Sequence, residues 1–185
     1  MMLIRQSFTK LQPVARPLLA RHICRQFAVQ FGDVVDANLG FSVPYEKRAS
    51  QLGGTGLFAT EPIKAGTRIW TFSDTNCCTY STPEEIQQLF ARLTPSQIED
   101  FVVHAYSDND VVISILDDGR FWNHSANPNC GSWEGDEDNT YAIRDIESGE
   151  ELLDDYGDYQ DLQWFEELCE GTGHTSVAKF FKETT

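Results

Sequence analysis

Residues 120–129 read RFWNHSANPN and residues 147–157 read ESGEELLDDYG, and these polar segments are the most informative part of the chain. Taken singly, their residues have ordinary structural explanations: Asn123 suits a turn, His124 suits a polar loop, and Tyr156 suits a core with its hydroxyl bonded. Taken together, an amide, an imidazole and a phenol in two closely spaced segments indicate a functional site.

A glycine-rich stretch, QLGGTGLFATEPIKAGTRIWTF at residues 51–72, precedes these segments. Short apolar runs lie on either side of Gly66, and glycine tolerates the positive φ that a turn requires there. This pattern predicts a β-hairpin. The segment Gly54-Thr55-Gly56 leads into that hairpin rather than into a helix, so it does not indicate a Rossmann dinucleotide site.

Two consecutive helices are predicted between residues 82 and 105. Thr82-Pro83-Glu84-Glu85 combines a hydroxyl cap, a proline at the first helical position and a glutamate three residues after the cap. The segment 94–97 repeats this signal. Apolar residues then recur at helical spacing and predict a buried stripe: Ile86, Leu89, Phe90, Leu93, Ile98, Phe101 and Val102.

Short strands account for most of the remaining pattern. The β-branched run at residues 111–116 predicts a buried strand. Residues 140–146 and 150–153 predict two more strands around a Ser-Gly turn, and residues 159–169 predict a final helix. Small strands around a helical insertion indicate a β-rich α+β domain rather than an alternating parallel sheet.

The charge is divided unevenly along the chain. The net charge is −15, yet five of the 14 lysines and arginines precede Phe31 and all 29 acidic residues follow it. An acidic body argues against direct nucleic-acid binding, which requires clustered lysine and arginine to neutralise phosphates. A cationic partner, such as a lysine-rich peptide, is favoured instead.

The basic N-terminal extension, residues 1–32, has the composition of an organelle transit peptide, with spaced arginines and no acids. This favours mitochondrial import. A basic tail without a targeting function is the alternative, and the nucleus or the cytoplasm would then be the destination. Residues 33–44 are linker-like, and the absence of an apolar run of about 18 residues predicts no membrane-spanning helix.

In this order, three segments resemble the hallmark motifs of SET-domain methyltransferases: the glycine turn at residues 54–59, RFWNHSANPN at residues 120–129 and GEELLDDYG at residues 149–157. The likeness extends over residues 45–169, which are therefore the expected domain, with the helices at 82–105 as an insertion. It implies a fold of small curled sheets in which the second motif threads through a loop formed by the third, as a pseudoknot.

The resemblance implies a protein-lysine N-methyltransferase that uses S-adenosylmethionine. Such an enzyme must hold a sulfonium methyl in line with a neutral lysine amine and exclude water. A free lysine has a pKa of about 10.4. A dry aromatic channel beside the sulfonium lowers that pKa by desolvation and by like charge, so deprotonation can precede methyl transfer.

The same resemblance assigns the site residues. Tyr156 is the expected catalytic residue, and a phenol with a pKa of about 10 would orient the amine rather than act as a general base. The expected cofactor-binding residues are Gly54, Gly56, Leu57, Phe58, Asn123, His124 and Tyr156. The expected substrate-channel residues are Phe72, Trp122, Tyr141, Trp164 and Phe165.

One departure from the family pattern concerns zinc. Many members carry a cysteine at the position of Ala126, and it joins a cysteine-rich segment after the domain to bind the metal. Here Ala126 and the single Cys169 predict no metal, and the five cysteines lack CxxC spacing. The substrate channel must then be closed without a zinc site. The candidate lid is the segment 164–181, which overlaps the C-terminal tail at residues 170–185. A helix that simply packs on the core is the alternative.

A second departure is Phe72, which stands where the family often has tyrosine. It leaves the number of transferred methyl groups open and favours the main alternative, a SET-fold interaction module without turnover. A hydrolase using His124 with an aspartate at 117–118 ranks last, because no nucleophile or metal-ligand set accompanies that histidine. Arg120 and Asp155 are expected to be structural, bonded to one another or to nearby backbone.

Overall fold

The computed structural model describes residues 31–33, 35–159, 162–177 and 179–180. In this part of the chain the strands are β1 (Tyr45–Ala49), β2 (Thr55–Ala59), β3 (Arg68–Thr71), β4 (Cys77–Tyr80), β5 (Tyr106–Asp108), β6 (Val111–Ile115), β7 (Asn123–His124), β8 (Cys130–Trp133), β9 (Asp136–Ala142) and β10 (Leu153–Asp154). The α-helices are α1 (Pro83–Phe90), α2 (Pro95–His104) and α3 (Gln163–Gly171), and short 3-10 helices span Asp118–Phe121 and Tyr156–Asp158.

The strands form small separate sheets. β1 pairs antiparallel with β2, and β7 pairs parallel with β10. Two three-stranded antiparallel sheets have the strand orders β3-β9-β8 and β4-β6-β5. This β-rich arrangement with a few helices confirms the predicted α+β fold class.

The hairpin predicted for residues 51–72 is wrong. β2 pairs with β1, which precedes it, whereas β3 pairs with the distant β9. The predicted turn does form, because Gly66 has a φ of +84° and its N–H donates to the Ala142 carbonyl at 2.8 Å. Each apolar run has a partner elsewhere in the chain, which a local pattern does not specify.

The helical insertion is confirmed together with its capping signals. The Thr82 and Thr94 side chains each accept a hydrogen bond from the backbone N–H three residues later. The side chains of Glu85 and Gln97 accept from the cap backbone in return, which completes a capping box at both helices. The boundary of α2 at His104 agrees with the predicted end of the insertion.

Other predicted elements form with different boundaries. The strand predicted at 140–146 is β9, which starts earlier and ends at Ala142. The strand predicted at 150–153 is reduced to the two residues of β10, and the helix predicted at 159–169 begins only at Gln163. These boundaries depend on the partner strand and on the preceding turn rather than on local apolar spacing.

The apolar core of the described residues has two parts. A sheet cluster lies among the small sheets and includes the fully buried Leu57, Ile69 and Leu152. A helix cluster lies between the three helices and β6. At its centre Phe101 is fully buried, and its ring contacts four aromatic rings at centroid distances of 5.2 to 6.4 Å: those of Phe31, Tyr80, Phe90 and Phe165.

Residues 35–44, within the predicted linker, pack against the domain. The Ser42 N–H donates to the Ile69 carbonyl at 2.8 Å. The Gly40 N–H donates to the buried carboxylate of Asp117 at 2.8 Å. Backbone and side-chain bonds therefore extend the folded body upstream of β1.

The termini are described only in part. The predicted transit segment, residues 1–32, lies outside the described residues except for Phe31 and Gly32, and Ala178 and Phe181 of the predicted lid also lie outside them. Within the tail, Ser176 is buried and its hydroxyl accepts from the Lys179 N–H at 3.2 Å. In the described part of the chain, no helix is both long enough and apolar enough to cross a membrane.

Candidate functional site

The two motif segments lie side by side as a parallel strand pair. In β7 and β10, Asn123 is opposite Leu153 and His124 is opposite Asp154. One residue further, the Ser125 N–H donates to the Asp154 carbonyl at 2.9 Å. The pairing brings two predicted cofactor residues to the edge of the GEELLDDYG segment, and the threading of one segment through a loop of the other stays a prediction.

Asn129, at the end of the RFWNHSANPN segment, is fully buried and bonds the two segments together. Its side-chain nitrogen donates to the Glu151 carbonyl at 2.7 Å, and its side-chain oxygen accepts from the Leu153 N–H at 2.8 Å. Its backbone N–H also donates to the Leu153 carbonyl at 3.2 Å. Water cannot replace these bonds in a buried position, so the amide satisfies backbone groups that would otherwise lack partners.

Glu151 connects Asn123 to the glycine turn. The Asn123 side-chain nitrogen donates to Glu151 Oε1 at 2.7 Å and to the Thr55 carbonyl at 3.2 Å. The Ser50 hydroxyl donates to Glu151 Oε2 at 3.0 Å. A Cβ atom at Gly56 would lie 2.1 Å from Glu151 Oε1, so the carboxylate can occupy this place only because residue 56 is glycine.

The turn before β2 is exposed to solvent. Gly54 has a φ of +62°, and no atom lies within 4 Å of a Cβ built on it. Its carbonyl accepts from the Ser50 N–H at 3.1 Å, which closes the turn. Leu57 and Phe58, which were predicted to bind the cofactor, are buried side chains that fix the strand following the turn.

His124 and Tyr156 contact one another directly. The Tyr156 N–H donates to His124 Nδ1 at 3.0 Å, so a neutral His124 carries its proton on Nε2. The two rings lie 5.5 Å apart between centroids. The Tyr156 hydroxyl donates to the Trp122 carbonyl. Burial, assisted by the Asp154 charge, raises the pKa of the Tyr156 phenol, which keeps it neutral at pH 7.

Two further tyrosine rings form an aromatic stack with Tyr156. Its ring stacks on Tyr159 at 4.9 Å, and Tyr159 stacks on Tyr106 of β5 at 4.5 Å. Burial raises the pKa of the Tyr159 phenol well above its usual value. Sequence reasoning missed Glu151, Tyr106 and Tyr159. No local signal distinguished them, since Glu151 is one of four acids in residues 149–157 and Tyr159 lies beyond the motif.

The predicted channel residues do not all lie together. Trp122 is buried in the sheet cluster, and the half-buried Phe72 packs against the same cluster. Tyr141 faces away from the buried Ala142, and its hydroxyl donates to Asp136 at 2.5 Å.

The other two predicted channel residues lie on α3. Phe165 is fully buried in the helix cluster, and Trp164 packs against that cluster. Apolar side chains on a helix next to two other helices fill the core between them. The structure therefore places Trp122 in the sheet cluster and Phe72 against it, Trp164 and Phe165 with the helix cluster, and Tyr141 on the outer side of β9, and a shared channel stays a prediction.

The charged residues near the motifs have structural partners. Arg120 forms an ion pair with Asp100 of α2 and not with Asp155, so the suggested Arg120–Asp155 pair is wrong. Asp155 Oδ1 accepts from the Gly157 N–H at 2.8 Å, in agreement with a backbone role. Asp118 forms an ion pair with Lys47 at 2.8 Å.

Asp117 is held by four donors: the Gly40 and Gly119 N–H groups and the side chains of Trp70 and Asn76, at 2.8 to 3.0 Å from its nearer oxygen. Asp117 and Asp118 therefore both bond to groups other than His124. A carboxylate oxygen of Asp155 lies 3.7 Å from His124 Nδ1. The arrangement argues against a hydrolase that pairs His124 with either of those aspartates.

The thiols and acids of the described residues do not form a metal-binding cluster. No group of three histidine, cysteine or acidic side chains in this part of the chain could hold a metal ion. Cys77, Cys78, Cys130 and Cys169 are buried and are not disulfide-bonded. Burial raises the pKa of the Cys169 thiol to about 12, which keeps it protonated.

Comparisons with known proteins identify relatives. The family model of the SET domain matches residues 54–157. Among solved structures, a candidate histone methyltransferase of Plasmodium falciparum is 21% identical, with a TM-score of 0.42 over 64% of this chain and 96% of that one.

Two further structures are similar. The Neurospora histone lysine methyltransferase DIM-5 is 22% identical with a TM-score of 0.44, over 68% of this chain and 56% of that chain. A chain of the ctPRC2 complex with H3K27me3 and H3K27M is 25% identical with a TM-score of 0.46, over 63% of this chain and 15% of that one. Comparison with curated proteins gives no significant match.

Proposed function

Because the chain belongs to the SET-domain family, whose pattern extends over residues 54–157, we propose that it is an S-adenosylmethionine-dependent protein-lysine N-methyltransferase. The observation that carries this proposal is the convergence of three motifs. The parallel pair β7–β10 sets Asn123 and His124 beside the strand that leads to Tyr156, and Glu151 joins Asn123 to the glycine turn.

The residues present fit the cofactor. The turn at Gly54 is exposed and has room beside it, because no atom lies within 4 Å of a Cβ built on Gly54. The side-chain nitrogen of Asn123 donates two hydrogen bonds, which leaves the side-chain oxygen to accept from a ligand. Carboxylates at Glu151, Asp154 and Asp155 give the site a negative field that suits a cationic ligand. When bound, S-adenosylmethionine would supply an activated methyl group.

The protein itself would position and desolvate the lysine. Trp122 and Phe72 provide apolar walls, and a lysine amine moved into such surroundings loses its proton more readily. Tyr156 would orient the amine through its hydroxyl. Because its pKa is raised, the phenol stays protonated and acts by hydrogen bonding rather than as a base.

A second candidate function is a SET-fold module that binds lysine-containing peptides without turnover. Two observations favour it: Phe72 has no hydroxyl to share with the amine, and the Tyr156 hydroxyl donates to the Trp122 carbonyl. Such a module would bind peptide and cofactor, yet it would transfer no methyl group.

The test combines binding and transfer. Calorimetry would measure the affinity for S-adenosylmethionine, and tritiated-methyl transfer would be followed onto an extract of lysine-containing proteins. We expect Tyr156→Phe to lower transfer by roughly 100-fold or more while cofactor affinity stays within about threefold, because the lost hydroxyl acts mainly on the reacting amine.

Tyr45→Phe is the matched control, since its hydroxyl bonds Asp118 at 2.9 Å on another part of the domain. It should leave transfer unchanged. Absence of cofactor binding by the unaltered chain would sink the proposal. Binding of cofactor and peptide without any transfer would support the interaction module instead.

A further inference from the structure

One face of the β8–β9 hairpin carries exposed apolar side chains. Cys130 and Ala142, which pair with each other, are buried, so the next pair, Gly131 and Tyr141, faces outwards. Trp133 is 41% exposed, and its ring lies 5.8 Å from that of Tyr141 between centroids. This hairpin face is defined by the residues Gly131, Trp133, Asp136, Asn139, Tyr141 and Ile143.

Ile143 extends the apolar part of the hairpin face. Ile143 is 38% exposed, and its Cγ2 atom would lie 3.4 Å from a Cβ built on Gly131. Exposed apolar side chains gathered on one face are a feature of docking sites.

The rim of the hairpin face is acidic. Asp136 accepts hydrogen bonds from the Tyr141 hydroxyl at 2.5 Å and from the Asn139 side chain at 2.6 Å, and these bonds lower its pKa. Further exposed acids follow the same hairpin at Glu134 and Asp138. Arg68, opposite Tyr141 on β3, adds one positive charge beside the hairpin. The hairpin segment itself, residues 130–142, carries four acids and no lysine or arginine, so its balance of charge is negative.

The hairpin also pairs with the strand that leads to Phe72. The Phe72 N–H donates to the Asp138 carbonyl at 2.7 Å, and Thr71 lies opposite Asn139 in the sheet. The Phe72 side chain packs against the sheet cluster, to which Cys130 and Ala142 belong, so it lies on the buried side of these strands and the hairpin face lies on the exposed side.

We propose that the hairpin face docks a lysine-rich segment of a partner protein. Charge complementarity selects this occupant: lysine stems pack on the tryptophan and tyrosine rings while their ammonium groups meet the acidic rim. The assignment of the partner as a substrate rests on the proposed function. Docking itself does not, because it involves neither the cofactor nor Tyr156.

Fluorescence anisotropy with the full chain tests the docking. The probe is a labelled peptide of alternating lysine and alanine, and a peptide of alternating glutamine and alanine is the neutral comparison. We expect Trp133→Ala to weaken lysine-peptide binding roughly tenfold, because central aromatic residues dominate such surfaces. Trp133→Phe should restore most of the affinity.

A charge variant separates electrostatics from folding. Glu134→Gln combined with Asp138→Asn should weaken binding by roughly threefold and reduce its salt dependence. The matched control is Glu84→Gln combined with Glu99→Gln, which removes two exposed acids from α1 and α2 and should leave the affinity unchanged. Equal losses in the two double variants would overturn the proposal, as would equal affinity for the neutral peptide.

Other occupants give different outcomes. A dimer in sedimentation that Trp133→Ala abolishes would assign the face to a second copy of the chain. Tighter competition by a synthetic peptide of residues 1–30 than by the lysine peptide would assign it to the chain's own basic segment. Either result would overturn the proposed occupant.

The docking and the methyl transfer can fail separately. Peptide binding that depends on Trp133 in a chain without methyl transfer would support docking and remove the proposed activity. Methyl transfer whose KM for a lysine-rich substrate is unchanged in Trp133→Ala, together with unchanged peptide affinity, would support the activity and remove the docking.

Discussion

The motif region and the helical region of this domain are held together by different interactions. The motif region comprises β1, β2, β7, β10 and the residues that lie between these strands. There, Asn129 and Glu151 join segments through hydrogen bonds to particular atoms. In the helical region, which comprises α1, α2 and α3, packing around Phe101 is apolar. Apolar packing tolerates changes that preserve volume, whereas a buried hydrogen bond tolerates almost none.

The largest expected effect lies in the helical region. Phe101→Ala should lower the free energy of unfolding by about 3–5 kcal/mol, because it removes a fully buried ring and leaves a cavity. Urea denaturation followed by circular dichroism would measure the change. Its control is Val103→Ala on the exposed side of the same helix, for which we expect a change below about 0.5 kcal/mol.

Similar losses in the two helix variants would contradict the assignment of helical stability to this buried stripe. Retention of stability in Phe101→Ala would do the same. The comparison of the two regions predicts a further distinction: Phe101→Leu, which preserves much of the volume, should recover a large part of the loss.

The second effect lies in the motif region. Asn129→Leu should lower the free energy of unfolding by about 2–4 kcal/mol, because the Glu151 carbonyl and the Leu153 N–H lose their buried partner. Leucine has a similar size, so the cost reports hydrogen bonding rather than volume. The same denaturation measurement applies, and calorimetry should show weaker S-adenosylmethionine binding.

Asn127→Leu serves as the control, because Asn127 belongs to the same motif but is exposed. We expect it to change stability by less than about 0.5 kcal/mol. If the two asparagine variants were equally stable, buried amide bonds would not be what joins the motif segments, and the contrast between the regions would disappear.

The two regions also differ in what their sequence predicts. The helices α1 and α2 were predictable because threonine caps, prolines and apolar spacing are local signals, and the structure contains them as predicted. The partners of β2 and β3 were not predictable, because strand pairing joins residues far apart in the chain. Periodicity did not predict that Asn123 and His124 lie close to the strand before Tyr156. The resemblance of the three motifs to a known family did predict it.

Some site residues could not be recognised from local signals. Glu151 reads as one more solvated acid in an acidic chain, and only its contacts with Asn123 and Gly56 show otherwise. Tyr159 stacks on Tyr156 because the 3-10 turn at residues 156–158 brings the two rings together. No residue pattern predicted this turn. Polar contacts between distant segments are therefore the hardest features to predict from the sequence.

A smaller effect tests the packing of the glycine turn. Gly56→Ala would place a methyl group 2.1 Å from Glu151 Oε1, so the carboxylate must leave Asn123. We expect S-adenosylmethionine affinity to fall roughly tenfold, with a loss of about 1 kcal/mol in the free energy of unfolding. Calorimetry and denaturation would measure the two quantities.

Gly171→Ala is the comparison for that variant, because the helical position has no atom within 4 Å of an added Cβ. It should leave cofactor affinity unchanged and stabilise α3 slightly, since alanine favours a helix over glycine. An unchanged affinity in Gly56→Ala would show that Glu151 can move without disturbing the site.

The smallest expected effect concerns His104, where the two regions meet. His104 Nδ1 lies 2.9 Å from the Asp100 carbonyl and 3.2 Å from the Arg120 guanidinium. Burial lowers the pKa of His104 from 6.5, and the Arg120 charge contributes in the same direction. The unfolded chain therefore binds a proton at a higher pH than the folded chain does, so the stability should decline as the pH falls below about 6.5.

His104→Gln should reduce this decline between pH 7 and pH 5 and leave the stability at pH 7.5 nearly unchanged. The measurement is urea denaturation at a series of pH values in both proteins. Carboxylates with a lowered pKa, such as Glu150 and Asp145, lose their contribution as the pH falls through their unfolded values of about 4, so they add little above pH 5 and add equally in both proteins. Identical slopes in the two proteins would show that protonation of His104 does not destabilise the contact between α2 and Arg120. The polar bonds at this boundary would then tolerate a positive charge, which the apolar interior of either region would not.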